Sequence, residues 1–305
     1  MRFGLATCFI MSQQTGAEAM RQPGQAASIV RRSLLASGPI LIDSFAVDPV
    51  SDACGDVERQ GSNVVVLPFA GVFAKHDAPG KQVVGTPSHA VFIAADTPYR
   101  IAFPGSIGDR AIILRFDSAV VPEAVDRRPG ETLGSHGLLP PEAMMRRDLL
   151  RRRASDPAAE TFEIEAIGLE LLDLCLGVLR DGPSSAAHLR RFRAVERVKE
   201  AVAVAPARDW SVAGLAKVAN LSPFHLCHVF RERTGTSIYD YVLRERLAQA
   251  LEAVLDGGDI TAIALDAGFA SHSHFTARFK RFFGETPSAL RQRIGVRQRV
   301  NFARS

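Results

Sequence analysis

Two stretches in the carboxy-terminal third repeat one local plan, and that repetition constrains the fold more than any other feature. Ser211 is placed to cap a short helix, Val212 to about Ala219, with Trp210 and Leu215 spaced as a hydrophobic staple. Asn220-Leu221 supplies a tight turn. Ser222 caps again, and Pro223 takes the first helical position, where its missing N–H costs nothing. The helix from Phe224 to Thr234 stops at Gly235. A long helix from about Ile238 to Leu255 ends at Gly257-Gly258, and the plan recurs. Asp259 caps Ile260 to Ala267, Gly268 allows the turn, Ser271 caps His272 to Phe283, and Gly284 stops it. Thr286-Pro287 opens a last short helix. Before the first unit, Phe192, Val195, Val198 and Val202 form the apolar stripe of another helix. Two short helices about a tight turn are the helix-turn-helix plan, whose second helix is the reader.

The rest of the chain has a different character. From about Ser28 to Phe116, short runs such as Ile40-Leu41-Ile42, Val64-Val65-Val66-Leu67, Val83-Val84, Ala90-Val91-Phe92-Ile93 and Ala111-Ile112-Ile113-Leu114 are punctuated by Gly and Pro. That pattern predicts many short strands in a sandwich or small barrel. From about Pro140 to Arg180 the period becomes helical. Met144 to Arg153 is mixed basic and apolar and reads as a solvated face. Phe162, Ile164, Ile167, Leu171, Leu174 and Val178 make an apolar stripe. Two helices joined at Ser155-Asp156-Pro157 follow, packed on the strands or on a second subunit. Asp181-Gly182-Pro183-Ser184-Ser185 reads as a linker. Residues 1–25 are expected to be a disordered leader, with Met11 as an alternative start.

The charge follows the same division. Residues 187–305 carry 19 Lys and Arg against 11 Asp and Glu, while the first 186 carry 18 against 22. A basic part joined to an acidic part suggests a polyanion partner for the basic part. No apolar run approaches the roughly 18 residues of a membrane span, and the sparse, unpaired cysteines lead to the expectation of a cytoplasmic chain. The four cysteines, Cys8, Cys54, Cys175 and Cys227, form no CxxC pair. They fit a reducing compartment rather than a zinc ribbon. Cys54, in a loop-like stretch, reads as an uninvolved thiol.

The stretch Ile263 to Phe269, followed by Ser273-His274-Phe275, Phe279-Lys280, Phe282-Phe283-Gly284 and Thr286-Pro287, resembles the second helix-turn-helix signature of the AraC/XylS family. Leu215-Ala216, Leu221-Ser222, His225-Leu226, Phe230-Arg231 and Thr234-Gly235 resemble the first. The resemblance covers about Arg193 to Arg291. Ile238 and Leu290 depart from it, standing where Pro and Tyr are frequent. The resemblance implies a transcription regulator that binds double-stranded DNA, with Phe224, Cys227 and His228 facing bases from the first reader. His272, Ser273 and Thr276 are the matching positions of the second. Arg231, Arg278, Lys280 and Arg281 are expected on phosphates. Leu226, Val229, Phe230, Phe275 and Phe279 are expected in the core. A strut of 18 residues is about 27 Å long, which suits two readers set near the roughly 34 Å repeat of one DNA turn.

In that family the preceding domain is commonly a cupin-like barrel that binds a small effector or dimerises. The expected architecture is therefore an α+β two-domain chain. Its parts are the leader 1–25, a cupin-like β-barrel domain with a helical hairpin at 26–182, a linker at 183–190, an all-α domain with two helix-turn-helix units at 191–296, and a tail at 297–305. His76, Tyr99 and Arg100 are the candidate contacts to an unidentified effector. A homodimer is expected, with RNA polymerase as a further partner. His76 and His89 form no HxH pair, and His272 and His274 diverge on a helix. No metal, cofactor or catalytic residue is expected. Two other readings stay open: a metal-dependent cupin enzyme fused to a DNA-binding domain, and a ligand-independent dimeric regulator.

Overall fold

The computed structural model describes residues 18–22, 25–36, 38–49, 51–78, 81–117, 134–179 and 186–299. The first half is built on strands: β1 (Glu18–Gln22), β2 (Gln25–Leu35), β3 (Ile40–Asp48), β4 (Asn63–Gly71), β5 (Phe73–Ala78), β6 (Lys81–Gly85), β7 (His89–Ile93), β8 (Arg100–Ala102), β9 (Asp109–Phe116) and β10 (His136–Leu138). The β-branched runs supply the buried rows, with Val64, Val65, Val91, Ile93, Ile112 and Leu114 all inside. Seven strands form one antiparallel sheet in the order β1-β2-β3-β9-β4-β7-β10, and three form another, β6-β5-β8.

The expected closed cupin-like barrel is corrected to these two sheets, because the ladder does not close among the described residues. Both edges of the three-stranded sheet find partners outside it. On β6, Val84 N–H donates to the Glu196 carboxyl, 2.7 Å away, on a helix of the second half. Along β8 runs the segment near Gly55 and Glu58, with Gly55 N–H donating to the Ile101 carbonyl at 2.8 Å. The leader boundary also moves. Glu18–Gln22 is a strand paired with β2, inside the stretch expected to be disordered. Residues 1–17, including Cys8 and Met11, lie outside the described residues.

The helical hairpin forms as α1 (Pro141–Arg153) and α2 (Thr161–Val178). Ile164, Ile167, Leu171, Leu172 and Cys175 of α2 are buried. At Gly168 an added Cβ would stand 2.5 Å from Ile42 Cδ1, so α2 lies directly on β3. The Arg-rich run is not simply a solvated face, as the sequence suggested. Arg147 is buried, donating to the carbonyls of Pro68 and Pro87 and pairing with Asp148 at 2.8 Å. Pro68 interrupts β4 where the register shifts, and Arg147 binds the carbonyl left there. A guanidinium with five donors satisfies several such carbonyls at once.

The second half is helical: α3 (Ala186–Val204), α4 (Val212–Ala219), α5 (Pro223–Thr234), α6 (Ile238–Leu255), α7 (Ile260–Asp266), α8 (His272–Phe283) and α9 (Pro287–Arg299). Helix α3 starts inside the expected linker 183–190, and α9 runs into the expected tail 297–305. Ala and Leu in Ala186-Ala187-His188-Leu189-Arg190 favour helix over linker. Of the linker, residues 183–185 lie outside the described residues. The sequence capping signals are met: the side chains of Ser211, Ser222, Asp259 and Ser271 accept from N–H groups three residues on. Ile238 and Leu290, the departures from the family pattern, are both buried and fill local cores.

Apolar packing does not respect the two halves equally. Helices α3 to α5 and the start of α6 enclose a core of their own, around Val198, Leu215, Leu226, Phe230 and Tyr241. The second helix pair instead shares one continuous cluster with the hairpin and the large sheet, from Leu67 and Leu171 to Leu251 and Phe279.

Burial alone pushes the Asp109 carboxyl on β9 up from 3.8 to about 7. A carboxyl held protonated by the fold favours folding most below its unfolded value, and that contribution is lost as pH rises through the folded one. Between about pH 4 and pH 7, Asp109 should therefore cost the fold an increasing amount, on the order of 4 kcal/mol at most. Urea midpoints across this range should fall more steeply for the native chain than for Asp109→Asn; parallel profiles would contradict it.

Candidate nucleic-acid interface

Each short helix pair buries one face of its second helix and presents the other. On α5, Leu226, Val229 and Phe230 are fully buried, three to four residues apart. The opposite side carries Phe224, 86% exposed, with Cys227, His228 and Arg231 also exposed. On α8, Phe275, Phe279 and Phe283 repeat every four residues, with ring centroids 5.5 and 4.5 Å apart. Phe269 from the preceding turn joins them at 5.1 Å from Phe275. This aromatic spine fixes the rotation of α8 and turns His272, Ser273, Lys280 and Arg281 outward.

Two expected contacts sit differently. Thr276 is half-buried, and its Oγ1 is closed off from solvent without a partner among the described residues. Its hydroxyl is thus not presented at the surface. Arg278 is half-buried, with Nε 3.4 Å from His274 Nε2 and its guanidinium 6.0 Å from the Tyr239 ring centre. It is tethered, in contrast to the exposed Lys280 and Arg281.

The three effector candidates are not brought to one point. His76 and Arg100 are register partners across β5 and β8. Tyr99, the residue before Arg100, points to the opposite side by strand alternation. It packs in the core with Phe73 and Phe103, and its hydroxyl accepts from Gln60 at 2.7 Å and donates to Glu58 at 3.1 Å. His76 lines a cleft of about 280 Å³ with Cys54, Gln82 and Glu200. Burial raises the Cys54 thiol pKa, which disfavours a reactive thiolate. Among the described residues no group of three or more His, Cys, Asp or Glu is placed to share a metal ion.

What the sequence reading passed over lies between the halves. Glu245, at the middle of α6, is fully buried and accepts from the hydroxyls of Thr86, at 2.9 Å, and Ser88. His89 Nδ1 stands 2.7 Å from Thr86 Oγ1, and burial drives its pKa well down, so the ring is neutral. Glu196 of α3, also buried, accepts from Lys199 Nζ at 2.9 Å as well as from Val84 N–H. One signal was available: Glu245 falls on the apolar row Ile238, Tyr241 and Ala248 of an amphipathic helix, where a charge needs a partner from another element.

A sheet domain followed by capped helix pairs on a strut defines a two-domain α+β protein ending in a helix-turn-helix domain. Residues 215–293 match the family model described as Helix-turn-helix domain. The chain carries a helix-turn-helix domain in this part. It is 37% identical over 99 residues to the HTH-type transcriptional regulator GlxA of Rhizobium meliloti, covering 32% of this chain and 31% of that one. It is 35% identical over 103 residues to the XylDLEGF operon transcriptional activator of Pseudomonas putida, covering 32% of each. The matched part thus spans about a third of these relatives' own length. Among solved structures, a DNA-binding transcriptional dual regulator from Escherichia coli K-12 is 27% identical, with 33% of this chain and 92% of that chain covered and a TM-score of 0.32.

The two exposures of phenylalanine on α5 and α8 separate surface from core. Phe224→Ala should leave unfolding free energy within about 0.5 kcal/mol. Phe275→Ala should cost about 3–5 kcal/mol. Denaturant unfolding of the two variants checks the pair, and a large loss from Phe224→Ala would place that ring in the core.

Proposed function

We propose that this chain is a sequence-specific DNA-binding transcription regulator whose two helix-turn-helix units insert α5 and α8 into successive major grooves. One observation carries the reading. Each of these helices is locked by a buried row, while its other face is held out without a core to cover it. On α5 that face carries Phe224, Cys227 and His228; on α8 it carries His272 and Ser273. Side chains of this kind suit base edges: an aromatic ring or thiol against a thymine methyl, an imidazole or hydroxyl against hydrogen-bonding groups. Arg231, Lys280 and Arg281 flank these faces and serve phosphates, which set affinity and register but not sequence. The relatives' names, a transcriptional regulator and an operon activator, support it.

Thr276 leaves the set of base contacts in this reading, because its hydroxyl is turned inward. Its exposed remainder offers at most a methyl. The sheet domain senses a small effector or pairs subunits, and the buried seam with α3 and α6 transmits its state to the readers. The chain acts in the cytoplasm and without catalysis.

The test is binding of the full chain to a randomised duplex library. A motif of two elements about one helical turn apart is expected. His272→Ala should change preference at one or two base pairs by about 1–3 kcal/mol. Lys280→Ala should weaken all sequences alike and lower the slope of log affinity against log salt by about 1. Equal weakening of every sequence by both variants would remove His272 from the readers, and a library yielding no motif would overturn the proposal.

A further inference from the structure

Arg246 lies beside Glu245 on α6, at the centre of the strut between the two helix pairs. Its guanidinium donates three hydrogen bonds, all to backbone carbonyls, in two separate segments. Nε reaches Pro206 at 2.8 Å and Nη2 reaches Arg208 at 2.9 Å, both in the connection that leads into α4. Nη1 reaches Gly268 at 2.8 Å, in the turn between α7 and α8. One rigid, planar group therefore ties the first unit to the second.

Both anchors are stiff. In the first, Trp210 Nε1 donates to the Ala205 carbonyl at 2.9 Å, and the Arg208 guanidinium stacks 4.5 Å from the Trp210 ring centre. In the second, Phe269 N–H donates to the Ala264 carbonyl at 2.9 Å, and the Phe269 ring enters the aromatic spine of α8. The anchors also touch. Gly268 has a φ of +78°, and a Cβ there would stand 2.6 Å from the Ala207 carbonyl oxygen and 2.8 Å from its Cα. The turn before α8 is thus pressed against the connection before α4 with no room for a side chain.

We infer that Arg246 is a specificity-determining positioning residue: by clamping the 206–208 connection to the Gly268 turn, it fixes the distance and rotation between α5 and α8 and hence the spacing of the two DNA elements. This rests on the DNA reading proposed above. The chemistry demands arginine. Lysine concentrates its donors at one point and cannot span three carbonyls from two elements. Each base pair of added spacing moves and rotates the second groove, so a rigid pair of readers discriminates spacing while a loosened pair does not.

The experiment measures affinity of the full chain for duplexes carrying the selected motif with its two elements moved apart or together by one base pair. The native chain should lose about tenfold on either change. Arg246→Lys and Gly268→Ala should bind the original spacing more weakly and lose most of that discrimination, while retaining base preference within each element. Unchanged discrimination in both variants overturns the proposal. Arg246→Lys is the mild change, and retained base preference within each element reports folded units. A second measurement stands apart from DNA. With Cys8 and Cys54 replaced by Ser, spin labels at Cys227 and at Lys280→Cys report the separation of α5 and α8. The distance distribution should be narrow in the native background and clearly broader with Arg246→Lys. An equally narrow distribution overturns the clamp whether or not DNA binds. A native chain that selects no motif but keeps this contrast fails the DNA reading alone.

Discussion

The structure turns on the buried polar seam that α3 and α6 make with the sheets. Glu245 is closed from water and held by the hydroxyls of Thr86 and Ser88, and Glu196 is held by Lys199 and a strand N–H. A buried carboxyl is costly unless its partners are in place, and all of these partners except Lys199 lie outside the helix that carries the carboxyl. Burial raises the pKa of both groups, while hydrogen bonds and Lys199 pull the other way. Docking is therefore directional: the two halves fit in the one arrangement that brings hydroxyls and N–H groups to the carboxyls. Apolar contact alone would tolerate sliding.

The second helix pair is less independent than the first. The first pair encloses its own core with α3. The second completes its core against α1 and the large sheet, and α1 is itself fixed by Arg147 to the carbonyls of Pro68 and Pro87. The sheet domain thus touches the helical half at two places that lead toward α8, through α1 and through the middle of α6.

Arginine recurs wherever the fold must satisfy stray backbone carbonyls. Arg147 serves the interrupted strand β4, Arg244 donates to the Leu139 carbonyl, Arg246 serves two turns, and Arg291 binds the carbonyls of Val254 and Gly258 at 2.8 and 2.6 Å. Part of the basic character of the second half is therefore structural, while Arg231, Lys280 and Arg281 on α5 and α8 stay exposed.

Local signals in the chain set the plan of the helical half. Serine and aspartate caps, glycine stops and the four-residue spacing of phenylalanines act within one or two turns, and each element stands where those signals place it. The same local signals set which faces of α5 and α8 are core, because a 3.6-residue period needs no knowledge of the partner. Only the tertiary structure decided that the strands divide into two sheets, that Tyr99 turns away from His76 and Arg100, and that the Thr276 hydroxyl is shut in. It alone assigned Arg147, Glu245 and Arg246 their partners, which lie 60 and 79 residues away from Arg147, 157 and 159 from Glu245, and 22 to 40 from Arg246. The reason is range. Caps and stripes depend on near neighbours, whereas strand pairing and buried charge depend on which distant groups the completed fold brings together.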